Sequence, residues 1–270
     1  MILASASWSA LPLTAVGLAA LACTSYAGSA LANHRISHGV ARWLMLLAIA
    51  LHGLLLLWTM VGPDPRFGFA PALSFTAWLL SCLYAVEGLF YPQLRLGWVL
   101  SVVAVTCLSL GLIYPGHELQ ANASAWLGLH WALGIASYGL LAAAAWHAWL
   151  MNRAEQQIRQ ATASAHGLPL MTLERLTFRF LWAGFVLLTA TLLAGWVFGE
   201  ASYGHAWRWD HKTLFSLLSW LTLATLLMGR ARFGWRGRMA ARMVFTAALL
   251  LLLAYVGSRF VLEVLLERLT

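Results

Sequence analysis

Charge is what this chain has least of. Only 10% of its 270 residues are Asp, Glu, Lys or Arg, against 61% hydrophobic, whereas a soluble globular domain is about a quarter charged. That excludes a soluble fold. Cysteine is nearly as scarce. Cys23, Cys82 and Cys107 stand far apart, with no C-x-x-C and no C-x-x-C-H, so a thioredoxin-like motif and self-attachment of a covalent heme are both excluded. They read as small apolar filler. No phosphate loop, dinucleotide fingerprint, Gly-x-Ser-x-Gly elbow or H-E-x-x-H helix occurs. Nothing marks a hydrolase, an ATP-driven pump or any other bond-making enzyme.

What is present is apolar length. A helix needs about 20 apolar residues to cross a bilayer, and such runs recur at about 11–32, 43–61, 70–90, 96–114, 126–150, 178–198, 213–229 and 243–262. The expected fold is therefore all-α: a polytopic membrane bundle of about eight transmembrane helices, one transmembrane domain over residues 1–270. Ala30-Leu31-Ala32 mimics a signal-cleavage site. No basic residue precedes the first run, though, so that run is expected to be a retained span.

The net charge of +8 is a topology signal and not a nucleic-acid footprint. Arg35, Arg42, Arg95, Arg153, Arg159, Arg175, Arg179, Arg230, Arg232, Arg236, Arg238 and Arg242 all fall on alternate loops, which the positive-inside rule assigns to the cytoplasm. Both termini are then expected outside. The basic loop Arg230–Arg238 is placed to grip anionic lipid headgroups, and residues 151–159 suggest the fifth helix running on into water.

One loop expected outside stands apart. Residues 199–213 crowd Glu200, Tyr203, His205, Trp207, Arg208, Trp209, Asp210, His211 and Lys212 between two apolar runs. Indoles at i and i+2 in an irregular segment can face one way as a flat shelf. His205 and His211 are potential metal ligands beside it, and Arg208 and Lys212 can hold anionic groups. A shelf, an imidazole and cations are what a heme with propionates requires. An interfacial aromatic belt is the plainer reading of the same residues.

Two further histidines lie within spans. His52, near the middle of the second, must find a partner inside the bundle. A hydrogen-bonded histidine, an axial ligand and a proton-relay group all fit it. His130 shares a helical face with Gly134, Ser137 and Tyr138, and the small residues leave a slot for a flat group or a close helix. It falls at the depth of the tryptophan-rich loop, which lets His130 and His211 approach one site. His147, beside Trp146 and Trp149, reads as interfacial. His117 and Glu118 read as solvated loop residues, and Arg259 as a residue that snorkels or reaches a carboxylate.

The order Tyr203-Gly204-x-x-Trp207-x-Trp209-Asp210-x-Lys212-Thr213 resembles the tryptophan-rich signature of the cytochrome c assembly protein family, the heme-handling membrane proteins of the CcsA, CcmC and HemX type. Leu129-His130 with Ser137-Tyr138, and Gly234-Trp235-Arg236-Gly237-Arg238, extend the likeness over the second half of the chain; the first half agrees in span pattern. The chain departs from the family where Val256-Gly257-Ser258-Arg259 replaces a usual Gly-Leu-His segment, His211 a usual proline and Tyr203 a usual tryptophan. These features are similar to a shorter, eight-span YpjD-like or HemX-like branch.

The resemblance implies a non-covalent b-type heme at the outer face of a bacterial inner (cytoplasmic) membrane. His130 and His211 are the expected iron ligands, with His52 an alternative or part of a second site. Trp207, Trp209 and Tyr203 pack the ring, Asp210 orients a ligand or the loop, and Arg208, Lys212 and Arg259 pair with propionates. The expected role is a heme chaperone or conduit in cytochrome c biogenesis, with apocytochrome c or other maturation proteins as partners besides lipid. The alternatives are a b-type electron-transfer cytochrome using His52 and His130, and a heme-free transporter or regulator.

Overall fold

The computed structural model describes residues 13–35, 37–62, 65–91, 97–118, 125–160, 168–203 and 209–266. The eight expected apolar runs all form helices: α1 (Leu13–Arg35), α2 (His38–Val61), α3 (Phe69–Phe90), α4 (Gly97–Ile113), α5 (Ala125–Arg159), α6 (Leu170–Tyr203), α7 (His211–Phe233) and α8 (Gly237–Leu252). Two wide π-type turns, Leu253–Gly257 and Val261–Leu265, carry the last helix on. Seven of these helices are long and apolar enough to cross a membrane. α4, at 17 residues, is about 26 Å long.

Local chemistry sets the ends. Ser37 caps α2 by accepting from the Val40 N–H at 3.2 Å, and Asp210 caps α7 by accepting from Thr213 N–H at 2.8 Å; each satisfies a donor the helix cannot. α7 stops at Gly234, whose φ of 67° is left-handed backbone that glycine adopts at little cost.

The helices gather in two compact units, residues 1–120 with 262–270, and 121–261. In the first, α1 lies along α2 and α4, and α3 along α4. Ala15, Ala19 and Ala22 on one face of α1 bury against Leu55 and Leu108, since small side chains let helices approach closely. His117 and Glu118 were expected to be solvated loop residues. Instead Arg66–Phe67 (β1) pairs antiparallel with His117–Glu118 (β2), and Arg66 meets the Glu118 carboxylate at 3.1 Å. Glu263, almost buried, lies 4.0 Å from the His117 ring.

The second unit is built on α5 and α6 in one antiparallel register. Glycines mark the crossings. A Cβ on Gly184 would meet Leu141 at 3.1 Å, one on Gly134 would meet Thr191 at 3.7 Å, and one on Gly195 would meet His130 at 3.2 Å. Trp220 of α7 donates to Thr189 at 2.8 Å and Ser219 to the Ala247 carbonyl of α8 at 2.8 Å. The Tyr138 hydroxyl joins α5 to α8 by donating to the Leu251 carbonyl.

One expectation holds here and others are corrected. α5 does run on past its apolar run, to Arg159. α6 begins at Leu170, well before the apolar run at 178, and continues through Gly199–Tyr203, so the irregular part of the tryptophan-rich stretch is shorter than 199–213. Before the apolar core, the good helix formers Leu170, Met171, Leu173, Glu174 and Arg175 carry the start of the helix outward. His147 is not interfacial. It is buried, bonded to the Ala143 carbonyl at 2.8 Å, and its ring lies 5.2 Å from that of Phe180. Three arginines of the 230–238 stretch hold carboxylates: Arg230 to Glu174 at 2.6 Å, Arg236 to Glu174 at 3.9 Å and Arg238 to Glu155 at 3.6 Å.

Candidate functional site

The site is assembled at one end of the second unit. His130 lies in the second turn of α5, facing α6 where Gly195 has no side chain. The imidazole fills the space a Cβ would need, with Cε1 3.2 Å and Nδ1 3.6 Å from that position. Nδ1 is buried, and among the described residues no hydrogen bond reaches it. The Thr191 backbone, one turn from Gly195, lies near enough to bear on the ring. A buried ring nitrogen without a partner is costly, so Nδ1 calls for a further bond.

Helix registers place the other candidates at this level. Eight residues from Tyr138 toward the start of α5 is His130, and eight beyond its partner Leu251 is Arg259; two turns along antiparallel helices keep them level, within the extra length of the wide turn. Nine residues before Trp220 is His211, which falls within about one turn of Gly195 by the same reckoning. His211 opens α7 and is exposed. By this reckoning His130 and His211 lie at a similar level of the unit, and among the described residues no contact joins the two rings.

Two cations converge on one ring, that of Tyr255. Lys212, the chain's only lysine, has Nζ 5.6 Å from the Tyr255 ring centroid, and the Arg259 guanidinium lies 6.0 Å from the same centroid. Tyr255 went unnoticed in the sequence because it sits within an apolar run. The wide turn Leu253–Gly257 is what brings it round, and Gly257 is the sequence mark of that irregularity; such turns gather at functional sites.

The remaining residues divide plainly. Trp209 is 75% exposed, as either an open shelf or an aromatic belt demands. Asp210 is the cap of α7 and so fixes where His211 and Lys212 begin. Tyr203 ends α6, but its side chain, like His205, Trp207 and Arg208, lies outside the described residues.

His52 belongs to the first unit and is fully buried. Its Nε2 is 2.8 Å from Ser74 Oγ and its Nδ1 3.3 Å from Tyr26 Oη. Both ring nitrogens are occupied, which is the hydrogen-bonded reading of that histidine. Among the described residues no three His, Cys, Asp or Glu side chains gather where they could hold a bare metal ion.

An all-helical, multi-pass membrane protein is thus defined, with a histidine, a buried unsatisfied nitrogen and paired cations at one end of a four-helix unit. Residues 38–266 match the family described as Cytochrome C assembly protein, and the chain belongs to that family. It is 34% identical over 263 residues to an uncharacterized 28.8 kDa protein of Azospirillum brasilense, covering 96% of this chain and 86% of that one. It is 28% identical over 236 residues to the cytochrome c biogenesis protein CcsA of Prochlorococcus marinus MIT 9301, covering 77% and 76%. The CcsA of Synechococcus sp. CC9902 is 25% identical over 252 residues, covering 81% and 83%. No solved structure matches.

Proposed function

We propose that this protein binds b-type heme non-covalently at the His130 end of its second unit, and holds and releases it as a chaperone or conduit. Family membership supplies the coarser statement, a role in cytochrome c assembly. The observation that carries the finer one is His130 itself: a half-buried imidazole seated against a glycine, its buried Nδ1 without a bond, level with two cations.

These residues fit the group. A ligating histidine gives one ring nitrogen to iron and its other N–H to a backbone carbonyl, and Thr191 offers that carbonyl. His211 is the second ligand, presented by the Asp210 cap. Lys212 and Arg259, which share the Tyr255 ring, would neutralise the propionates, and Trp209 with Trp207 and Tyr203 would pack the macrocycle. Bound heme supplies an iron centre and a flat apolar surface. The protein's own residues bind, orient and shield it, and no bond-making step is asked of them. The location is the outer face of a bacterial inner membrane, with heme and the proteins of cytochrome c maturation as partners.

The electron-transfer alternative draws no support from His52, whose two nitrogens already meet Ser74 and Tyr26. The test is the visible spectrum of protein purified in detergent, oxidised and dithionite-reduced. A Soret band weakened in both His130→Ala and His211→Ala is expected. A band that survives both and disappears in His52→Ala moves the heme into the first unit and overturns this reading.

A further inference from the structure

The other end of the second unit carries a cavity of about 490 Å³, lined by Arg175, Arg179, Arg230 and Arg236, with Phe178 and Trp182 among its apolar walls. Its size suits a small ligand or a lipid headgroup. Four guanidinium groups face one carboxylate, that of Glu174. Glu174 is committed already: Arg230 takes it at 2.6 Å while its guanidinium covers the Phe178 ring at 3.6 Å, and Arg236 reaches it at 3.9 Å. Arg175 and Arg179 are exposed and, among the described residues, have no carboxylate within ion-pair distance. They stand one turn apart on α6, with Trp182 on the same face. The cavity is therefore strongly cationic above an apolar wall.

Its position is as informative as its lining. Arg179 is sixteen residues along α6 from Gly195, about 24 Å at 1.5 Å per residue, and Arg175 is one turn farther. The span from His130 to these arginines approaches the roughly 30 Å hydrocarbon core of a bilayer, which sets the cavity at headgroup depth on the opposite side. Trp182, three residues deeper along α6 than Arg179, is 55% exposed, an apolar surface for an acyl chain beneath the guanidinium groups. A soluble anion would use the arginines and leave that surface bare.

We infer that this cavity binds the phosphate of an anionic phospholipid, with Arg175 and Arg179 as the principal contacts and Trp182 against the chain. Arginine is suited to the task because its planar fork meets phosphate oxygens two at a time. The Glu174–Arg230 pair acts as the fixed floor of the site. This inference does not depend on the heme reading, because none of these residues belongs to the His130 end.

The test is native mass spectrometry of the delipidated full chain in detergent, titrated separately with phosphatidylglycerol, phosphatidylcholine and inorganic phosphate. Wild type is expected to retain phosphatidylglycerol over phosphatidylcholine, and Arg175→Gln/Arg179→Gln to bind it about tenfold more weakly, with unchanged melting temperature and Soret band. Arg153→Gln, on α5 beside Trp149, is expected to leave the preference intact. Equal retention of the two lipids, or a double variant that keeps the preference, overturns the site. Displacement of bound lipid by millimolar inorganic phosphate overturns the lipid assignment and marks a soluble-anion site.

Discussion

Gly195 and His130 form a complementary pair across the α5–α6 contact: the side chain absent from one leaves the space taken by the ring of the other. A Cβ at 195 would stand 3.2 Å from Cε1, tighter than ordinary contact, so the imidazole must yield by a few tenths of an ångström.

Gly195→Ala is therefore expected to lower the heme retained per protein and shift the Soret maximum. Stability should hold or rise, because Ala favours a helix over Gly by about 1 kcal/mol. Pyridine hemochrome assay and thermal denaturation, run on the same sample, separate the two effects. Parallel losses of heme and stability would show that the glycine serves packing alone.

Tyr255 offers a different handle, since Lys212 and Arg259 share its ring. Cation–π contacts of this kind contribute roughly 0.5–2 kcal/mol. Tyr255→Leu is expected to weaken heme retention several-fold against an apomyoglobin trap, Tyr255→Phe to keep most of it, and Lys212→Gln with Arg259→Gln to lose more than either alone. A dependence on charge with none on the ring would remove Tyr255 from the site.

How much of this could be read in the sequence depends on range. All eight helices were legible because a bilayer demands about 20 apolar residues in a row, and such runs are local. His130 was legible because an imidazole among small residues in a span is out of place. Gly195 was not, for its meaning depends on which helix faces α5. Tyr255 was hidden by periodicity: a wide turn changes the face a residue presents, and the pattern carries no warning beyond Gly257. The extension of α6 back over Arg175 was missed for the opposite reason, since hydropathy reports the membrane's extent and not the helix's. Glu263 was passed over because its neighbours, Gly68 and His117, lie far away in sequence.

Glu174 should matter for stability and not for heme. It is nearly buried and holds Arg230 at 2.6 Å, and a hydrogen bond to a charged group is worth about 1.5–3 kcal/mol. Glu174→Gln is expected to lower the melting temperature while the Soret band of the folded fraction stays put. A spectral change would tie the two ends of the unit together.

Sidedness follows from the arginine-bearing loops. Alkaline phosphatase joined after Thr270 is expected to be active, and inserted after Gln160 inactive, as both termini outside requires. The reverse pattern would put the His130 end in the cytoplasm and with it the proposed site on the wrong face.

His52 gives the sharpest separation between readings. Its ring bridges Ser74 on α3 and Tyr26 on α1, whose ring it also meets edge-on at 5.9 Å, so His52→Ala leaves a cavity and two buried hydroxyl groups short of a partner. Each unsatisfied group costs about 1–3 kcal/mol. His52→Ala should therefore melt earlier than wild type by a clear margin, and His52→Gln, which can still bond both hydroxyls, should recover part of the loss. Neither should change the heme bound per folded protein, because the proposed site is built from His130 and His211. An electron-transfer protein ligating iron through His52 would behave in the opposite way: His52→Gln would restore the fold but not the spectrum. Stability and spectrum measured together on these two variants thus distinguish a histidine that ties helices together from one that binds a metal.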